Sequence, residues 1–211
     1  MRDLLFQSGE KVLFIGDSIT DCERRDEHAP FGYGYVNKIV ELITAKYPER
    51  QLQYVNKGIG GDVVEGLEER WHADVIVEQP DWISVSIGIN NASRQVANSI
   101  PNDKYLPKWE ACYRRILKRA QEELDVAFFA FEIFYVKEDV EQPRRLAVNA
   151  YNDIVHRLAD EFDVRLVRTS EIFSRAVASR PAVLWTTQDG IHPNAVGHTM
   201  IALEFLKQAG W

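Results

Sequence analysis

The chain contains 211 residues, 45% of them apolar and 27% charged, with a formal net charge of −7. That length and mix suit one globular domain over residues 1–211 with a sizeable core, and they exclude a disordered or fibrous chain. The acidic balance works against nucleic acid and anionic membrane surfaces as partners, because both repel a negative chain.

Lys11-Val12-Leu13-Phe14-Ile15 is a short apolar run that stops at Gly16 and reads as a first strand. Val36, Ile39, Val40 and Ile43 then fall at helical spacing and mark one buried face. Residues 52–55 form a second strand candidate, and Val64, Leu67 and Trp71 predict a short helix. Residues 82–87 are a third strand, again stopped by a glycine. Trp109, Cys112, Tyr113, Ile116, Leu117 and Ala120 predict a long helix. Residues 126–131 are nearly all apolar, as expected of a strand covered on both faces. Leu146, Ala150, Ile154, Leu158 and Phe162 predict another helix, and residues 164–167 a fifth strand. Ser170 can cap a short helix. Residues 194–209 carry the last helix, with Gly210 as its stop.

No internal repeat or Pro/Ser-rich linker interrupts this order. Strand–helix alternation repeated about five times predicts an α/β fold, a parallel sheet with helices on both faces. Ligands of such sheets sit beyond the carboxyl ends of the strands. The loops after Ile15, Val55, Ile87 and Phe131 are therefore the places to look.

The first of these loops is Gly16-Asp17-Ser18-Ile19-Thr20. A serine just past a buried strand is held on a rigid platform, which suits a nucleophile. It also suits a plain helix cap, and Thr20 stands where a GxSxG elbow would have its second glycine. The second loop carries Gly58, Gly60 and Gly61, which let the backbone turn tightly and bring an N–H close to a ligand. The alternative is an ordinary strand–helix turn with Asp62 as N-cap; no phosphate-binding glycine pattern is present. The third loop is Gly88-Ile89-Asn90-Asn91. An Asn amide there supplies an uncharged donor for a developing oxyanion, or simply forms a turn. Asn91-Ala92-Ser93 is also a glycosylation sequon, without weight in the absence of an export signal.

The last constellation is Asp189-Gly190-Ile191-His192-Pro193-Asn194. A carboxylate three residues before a histidine can curl back onto the ring, fix its tautomer and steady the imidazolium. His28, His72, His156 and His198 have no comparable partner, and the last two lie inside helical patterns, where they read as structural or solvated. Each of the four pieces has a bland reading alone. Their convergence on one edge of the same sheet is harder to explain blandly.

From Gly16 to Gly197 the chain resembles the GDSL/SGNH hydrolase family. It has a GDS block ending at Ser18, a glycine block ending at Gly61, a GxN block ending at Asn90 and a DxxH block from Asp189 to His192, in that order. The resemblance implies a flavodoxin-like α/β/α sandwich with a central, mostly parallel five-stranded sheet. It implies Ser18 as nucleophile, His192 as general base and Asp189 as its orienting acid. The oxyanion hole would then comprise the Ser18 and Gly61 backbone N–H groups and the Asn90 side chain. One departure is plain: the third block usually reads GxND, and Asn91 replaces the acid that would support the loop. Residues 16–22 and 185–193 look more specifically like small intracellular bacterial members, some similar to acetylxylan esterases. Asp17 and Trp185 are then the candidates for substrate contact.

The expected reaction is two-step acyl transfer on a small-molecule ester, with a short, acetyl-type acyl group and an acetylated carbohydrate as alcohol. Phe31, Tyr33, Tyr35 and Trp185 could stack on a sugar, or be packing residues. No metal or organic cofactor is expected. Rival readings are a lysophospholipase, thioesterase or arylesterase with the same machinery, a non-catalytic carbohydrate binder, and a flavodoxin-like phosphate binder. The N-terminus shows no apolar signal stretch and no run suits a membrane span, so the expected location is the cytoplasm. Cys22 and Cys112 stand alone and read as small core residues. Relatives of this kind often form homo-oligomers, which the sequence neither requires nor excludes.

Overall fold

The computed structural model describes residues 4–137 and 142–211. Five strands, β1 (Lys11–Gly16), β2 (Gln53–Gly58), β3 (Trp82–Ser86), β4 (Ala127–Phe131) and β5 (Arg165–Val167), form one sheet in the order β2-β1-β3-β4-β5. Every pairing is parallel. The strands are joined by helices α1 (Ser18–Asp21), α2 (Tyr35–Lys46), α3 (Val64–Trp71), α4 (Ile89–Ala97), α5 (Asn102–Glu123) and α6 (Pro143–Glu161), and α7 (Thr169–Ser179) and α8 (Ala195–Gln208) follow the last strand. A π-helical turn, His72–Ile76, continues α3, and a 3₁₀ turn, Ala182–Leu184, precedes the last loop.

The helices pack as two groups. α8 packs against both α2 and α7, and on the other side α3, α5, α6 and α4 pack in succession, each against the next. This is the outcome expected when each parallel strand pair is joined by a right-handed crossover and the order reverses at β1. The apolar runs explain the layers. β1 is buried from Val12 to Gly16, because helices cover both its faces. On the α2/α8 side, Phe205 packs against Phe14, Phe129 and Phe131, and Tyr35 against Phe14 and Phe131. On the other side, Trp109 meets Tyr151 edge-on with ring centres 4.7 Å apart.

The strand ends position the site. Gly16 sits opposite Gly58 and Ser86 in the register. A Cβ on Gly16 would lie 2.3 Å from the Ser86 carbonyl oxygen, and one on Gly58 2.3 Å from the Asp21 nitrogen. Two glycine slots at neighbouring strand ends thus let the short helix α1 drop onto the sheet edge.

Where the structure departs from the sequence reading, the causes are local. α5 starts at Asn102, well before Trp109, and carries Pro107 as its sixth residue, where the missing N–H leaves the carbonyl of Asp103 without its helical partner. α4 occupies the stretch that reads as an Asn turn; its apolar face is carried by only Ile89, Ala92 and Val96. Leu146 falls on the helical period of α6 yet is 58% exposed. Ser170 is not the cap of α7: Arg168 holds that position, and Thr169 Oγ1 donates instead to the Glu132 carbonyl.

Candidate active site

β1 ends at Gly16, and the next residue, Asp17, caps α1. Its Oδ1 accepts from Ile19 N at 3.0 Å, and its carbonyl accepts from Asp21 N at 2.9 Å. Its side chain is buried, and that burial pushes its carboxyl up to about 7. Asp17 is therefore a scaffold residue with no exposed face for a substrate, contrary to the sequence expectation. The cap leaves Ser18 as the first residue of α1, beyond the carboxyl end of the sheet.

Ser18 Oγ lies 2.9 Å from His192 Nε2, across 174 positions of chain. His192 Nδ1 lies 2.6 Å from Asp189 Oδ2. With the Nδ1 hydrogen donated to the carboxylate, Nε2 carries the lone pair that accepts from the serine. Asp189 is fixed in turn by its neighbours. Its Oδ1 accepts from Thr187 Oγ1 at 2.8 Å, Ile191 N at 2.7 Å and His192 N at 3.0 Å. Partial burial works to raise its pKa, but these hydrogen bonds and the one from His192 hold the carboxyl well below the ordinary range. The Asp189 and His192 side chains are 43% and 46% exposed, so the dyad opens directly to solvent. The loop after β4 supports it from outside, Val136 N donating to Gly190 O at 2.7 Å.

The opposite wall is the Gly60-Gly61-Asp62 loop. Gly60 N donates to Asp21 Oδ2 at 2.9 Å, and Gly61 O accepts from Arg94 at 3.1 Å. Asp62 O accepts from Asn90 Nδ2 at 2.9 Å. The Asp62 carboxylate pairs with Arg70 at 2.9 Å, and Arg70 also reaches Gly16 O at 3.3 Å. The Ser18 and Gly61 N–H groups have no acceptor among the described residues. Asn90 spends one amide hydrogen on Asp62 and retains the other. Such a set can stabilise negative charge developing on an oxygen beside Ser18.

The support left open by the absent GxND acid is also visible. Asn91 is buried; its Oδ1 accepts from Val64 N at 3.1 Å, and its Nδ2 donates to Glu65 at 2.9 Å and to Tyr105 Oη at 3.2 Å. An amide thus joins α4 to α3 and α5, and its burial removes it as a glycosylation acceptor. Trp185 is half-buried, with its indole N–H 3.4 Å from the Arg180 carbonyl, and its backbone braces the base loop through Asn194 N at 3.0 Å. Tyr35 is core, and Phe31 is partly so; Tyr33 is half-exposed.

Sequence reasoning missed Asp21 and Arg94, which act on backbone atoms of the glycine loop, and Arg70 and Thr187, which hold the Asp62 and Asp189 carboxylates. It also missed the pairing of His198. That ring is buried, with Nδ1 accepting from Tyr35 N at 3.2 Å and Nε2 3.6 Å from Cys22 Sγ. Desolvation holds its pKa down at about 4. His156 bonds Glu132 at 2.7 Å, far along the chain from the triad. Among the described residues no group of His, Cys, Asp and Glu side chains converges on a metal site, and no helix is long and apolar enough to cross a membrane.

Residues 14–200 match the model of the GDSL-like lipase/acylhydrolase family. The chain is 37% identical to the acetylxylan esterase of Geobacillus stearothermophilus, over 97% of this chain and 95% of that one. A crystal structure of that esterase superposes with a TM-score of 0.89 at 36% identity, covering 98% of this chain and 97% of that one. Three further structures of it are described as catalytic mutants, in which an aspartate, a serine and a histidine are each replaced by alanine. An α/β hydrolase enzyme from the metagenome of Lake Arreo, Spain, has a TM-score of 0.90 at 29% identity, covering 99% of this chain and 98% of that one. With this match along nearly its whole length, the chain belongs to the GDSL-like lipase/acylhydrolase family, as a carboxylic ester hydrolase homologous to acetylxylan esterase.

Proposed function

We propose that the protein removes acetyl groups from soluble carbohydrates such as acetylated xylo-oligosaccharides, with Ser18, His192 and Asp189 as its triad. The observation that carries this reading is the unbroken hydrogen-bond chain from Ser18 Oγ through His192 to Asp189. His192 Nε2 takes the serine proton as Oγ attacks the ester carbonyl. The Ser18 and Gly61 N–H groups and the free Asn90 amide hydrogen receive the oxyanion. The imidazolium, steadied by Asp189, returns the proton to the leaving alcohol, and water then releases acetate by the same steps in reverse.

The carbohydrate half rests on the esterase relative and on the setting of the base loop. A groove of about 430 Å³ adjoins it, lined by Lys137, Gln142, Thr187 and Gln188 as well as by apolar side chains. Hydroxyl, amide and ammonium groups suit a hydroxylated partner better than an acyl tail. Acetate release from acetylated xylo-oligosaccharides, with Ser18→Ala as control, tests the proposal. The parent releases acetate, the folded variant loses nearly all activity, and turnover of p-nitrophenyl esters falls steeply beyond about four acyl carbons. A higher kcat/KM on long-chain or lysophospholipid esters overturns the substrate; full activity of Ser18→Ala overturns the nucleophile.

A further inference from the structure

Asp21 is a buried carboxylate that the triad does not use. It closes α1, one turn after Ser18, and its Oδ2 accepts from Gly60 N at 2.9 Å and from Arg25 at 3.0 Å. Two further braces run between the same segments: Asn56 Nδ2 donates to Thr20 O at 2.8 Å, and Arg24 Nε donates to Gly58 O at 2.6 Å. The side chain of Asp21 alone reaches past the strand end into the glycine loop, at the residue immediately before Gly61. The helix that begins with Ser18 N–H therefore ends with the group that holds the residue next to the other backbone donor.

We infer that Asp21 is a positioning residue for the oxyanion hole, setting the Gly61 N–H relative to Ser18 through Gly60. This rests on the reading of Ser18, Gly61 and Asn90 as that hole. A carboxylate so close to a developing oxyanion would oppose it if unpaired. Arg25 and the Gly60 N–H pair with its Oδ2, its Oδ1 is buried without a partner among the described residues, and what Asp21 contributes is placement. Gly60 and Gly61 lack side chains to pack, so their position depends on such contacts. A donor displaced by about an ångström loses much of its effect on the transition state, with little effect on ground-state binding.

The test is a set of variants read by kcat and KM on p-nitrophenyl acetate, with thermal unfolding as the check on folding. Asp21→Ala lowers kcat roughly 10- to 100-fold with KM within about twofold. Asp21→Asn, whose carbonyl oxygen can still accept from Gly60, recovers kcat to within about threefold of the parent. Both Asp21→Ala and Asn90→Ala act on one hole, so the double variant loses less than the product of the two single losses. If Asp21→Ala does not fold, Asp21→Ser carries the same test with a side chain too short to reach Gly60. Parental kcat in a folded Asp21→Ala or Asp21→Ser, a loss expressed in KM, failure of Asn to rescue, or strict multiplicativity overturns the assignment. Asn90→Ala alone separates the two levels. If it loses kcat while Asp21→Ala does not, only the role of Asp21 falls; if it keeps kcat, the hole itself is misassigned and the role of Asp21 falls with it.

Discussion

Two arms meet at Ser18, and they are held in opposite ways. The base arm closes on itself: Asp189 takes hydrogen bonds from Thr187, Ile191 and the backbone N and Nδ1 of His192 within a six-residue stretch. The glycine arm has few contacts of its own. Gly60 is held by Asp21, Gly61 by Arg94 and Asp62 by Asn90, partners 28 to 39 positions away on two other helices. One arm inherits its geometry from connectivity and the other from packing. The first can form wherever its few residues occur together; the second exists only once α1, α3 and α4 have docked on the sheet edge.

The largest expected effect tests the local arm. An asparagine at Asp189 keeps an oxygen for the Thr187, Ile191 and His192 donors but presents an N–H to His192 Nδ1. The ring then carries its hydrogen on Nε2 and cannot accept the serine proton, so Asp189→Asn should lower kcat about 10⁴-fold while thermal unfolding barely moves. Loss of folding instead would mean that the loop depends on the charge for its shape. A smaller effect tests the packed arm. Asn90→Ala should lower kcat roughly 10²- to 10³-fold with KM nearly unchanged, the cost of one oxyanion donor. A rise in KM at constant kcat would make Asn90 a substrate contact and remove the packed arm from the chemistry.

The smallest effect concerns the strut between the arms. His198 lies in α8, just past the base loop, and touches Cys22 and Tyr35 beside α1. Desolvation lowers its folded pKa from 6.5 to about 4. Between those values the unfolded chain binds a proton that the native state refuses. The stability due to neutral His198 is therefore complete above about pH 6.5 and lost as the pH falls toward 4. Between pH 6.5 and 4.5 the melting temperature of the parent should drop roughly 5 °C more than that of His198→Gln, which has no such proton to take up. Parallel melting curves for the two proteins would show that the strut does not bear on acid stability.

The same contrast decides what could be read from the sequence. Asp189 and His192 are legible because spacing alone brings them together. The five strands are legible because residues such as 12–15 and 128–131 are apolar without interruption. Ser18, Gly61 and Asn90 emerged only as a coincidence of loops at one sheet edge. Their supports escaped altogether: nothing in the types of Asp21 or Arg94 shows that each will find a backbone atom of a distant glycine loop, or in that of Arg70 that it will hold the Asp62 carboxylate. Asp17 was misplaced for the converse reason. Its neighbour reaches the solvent, but capping turns its own carboxylate inward. Asn91 shows that a block can lose its usual acid and still tie α4 to α3 and α5, through an amide.

The paired glycine slots under α1 have a genetic consequence. Every missense change at codon 16 or 58 adds at least a Cβ, and at each position that atom would lie 2.3 Å from a backbone atom, of Ser86 or of Asp21. Backbone cannot swing aside as a flexible side chain can, so the strain at codon 58 falls on α1, which begins with Ser18, and at codon 16 on the end of β3 beside it and on Thr20 of α1. Alleles at these two codons therefore belong with active-site alleles in a mutational screen: the protein accumulates and the activity disappears, although neither residue touches the ester.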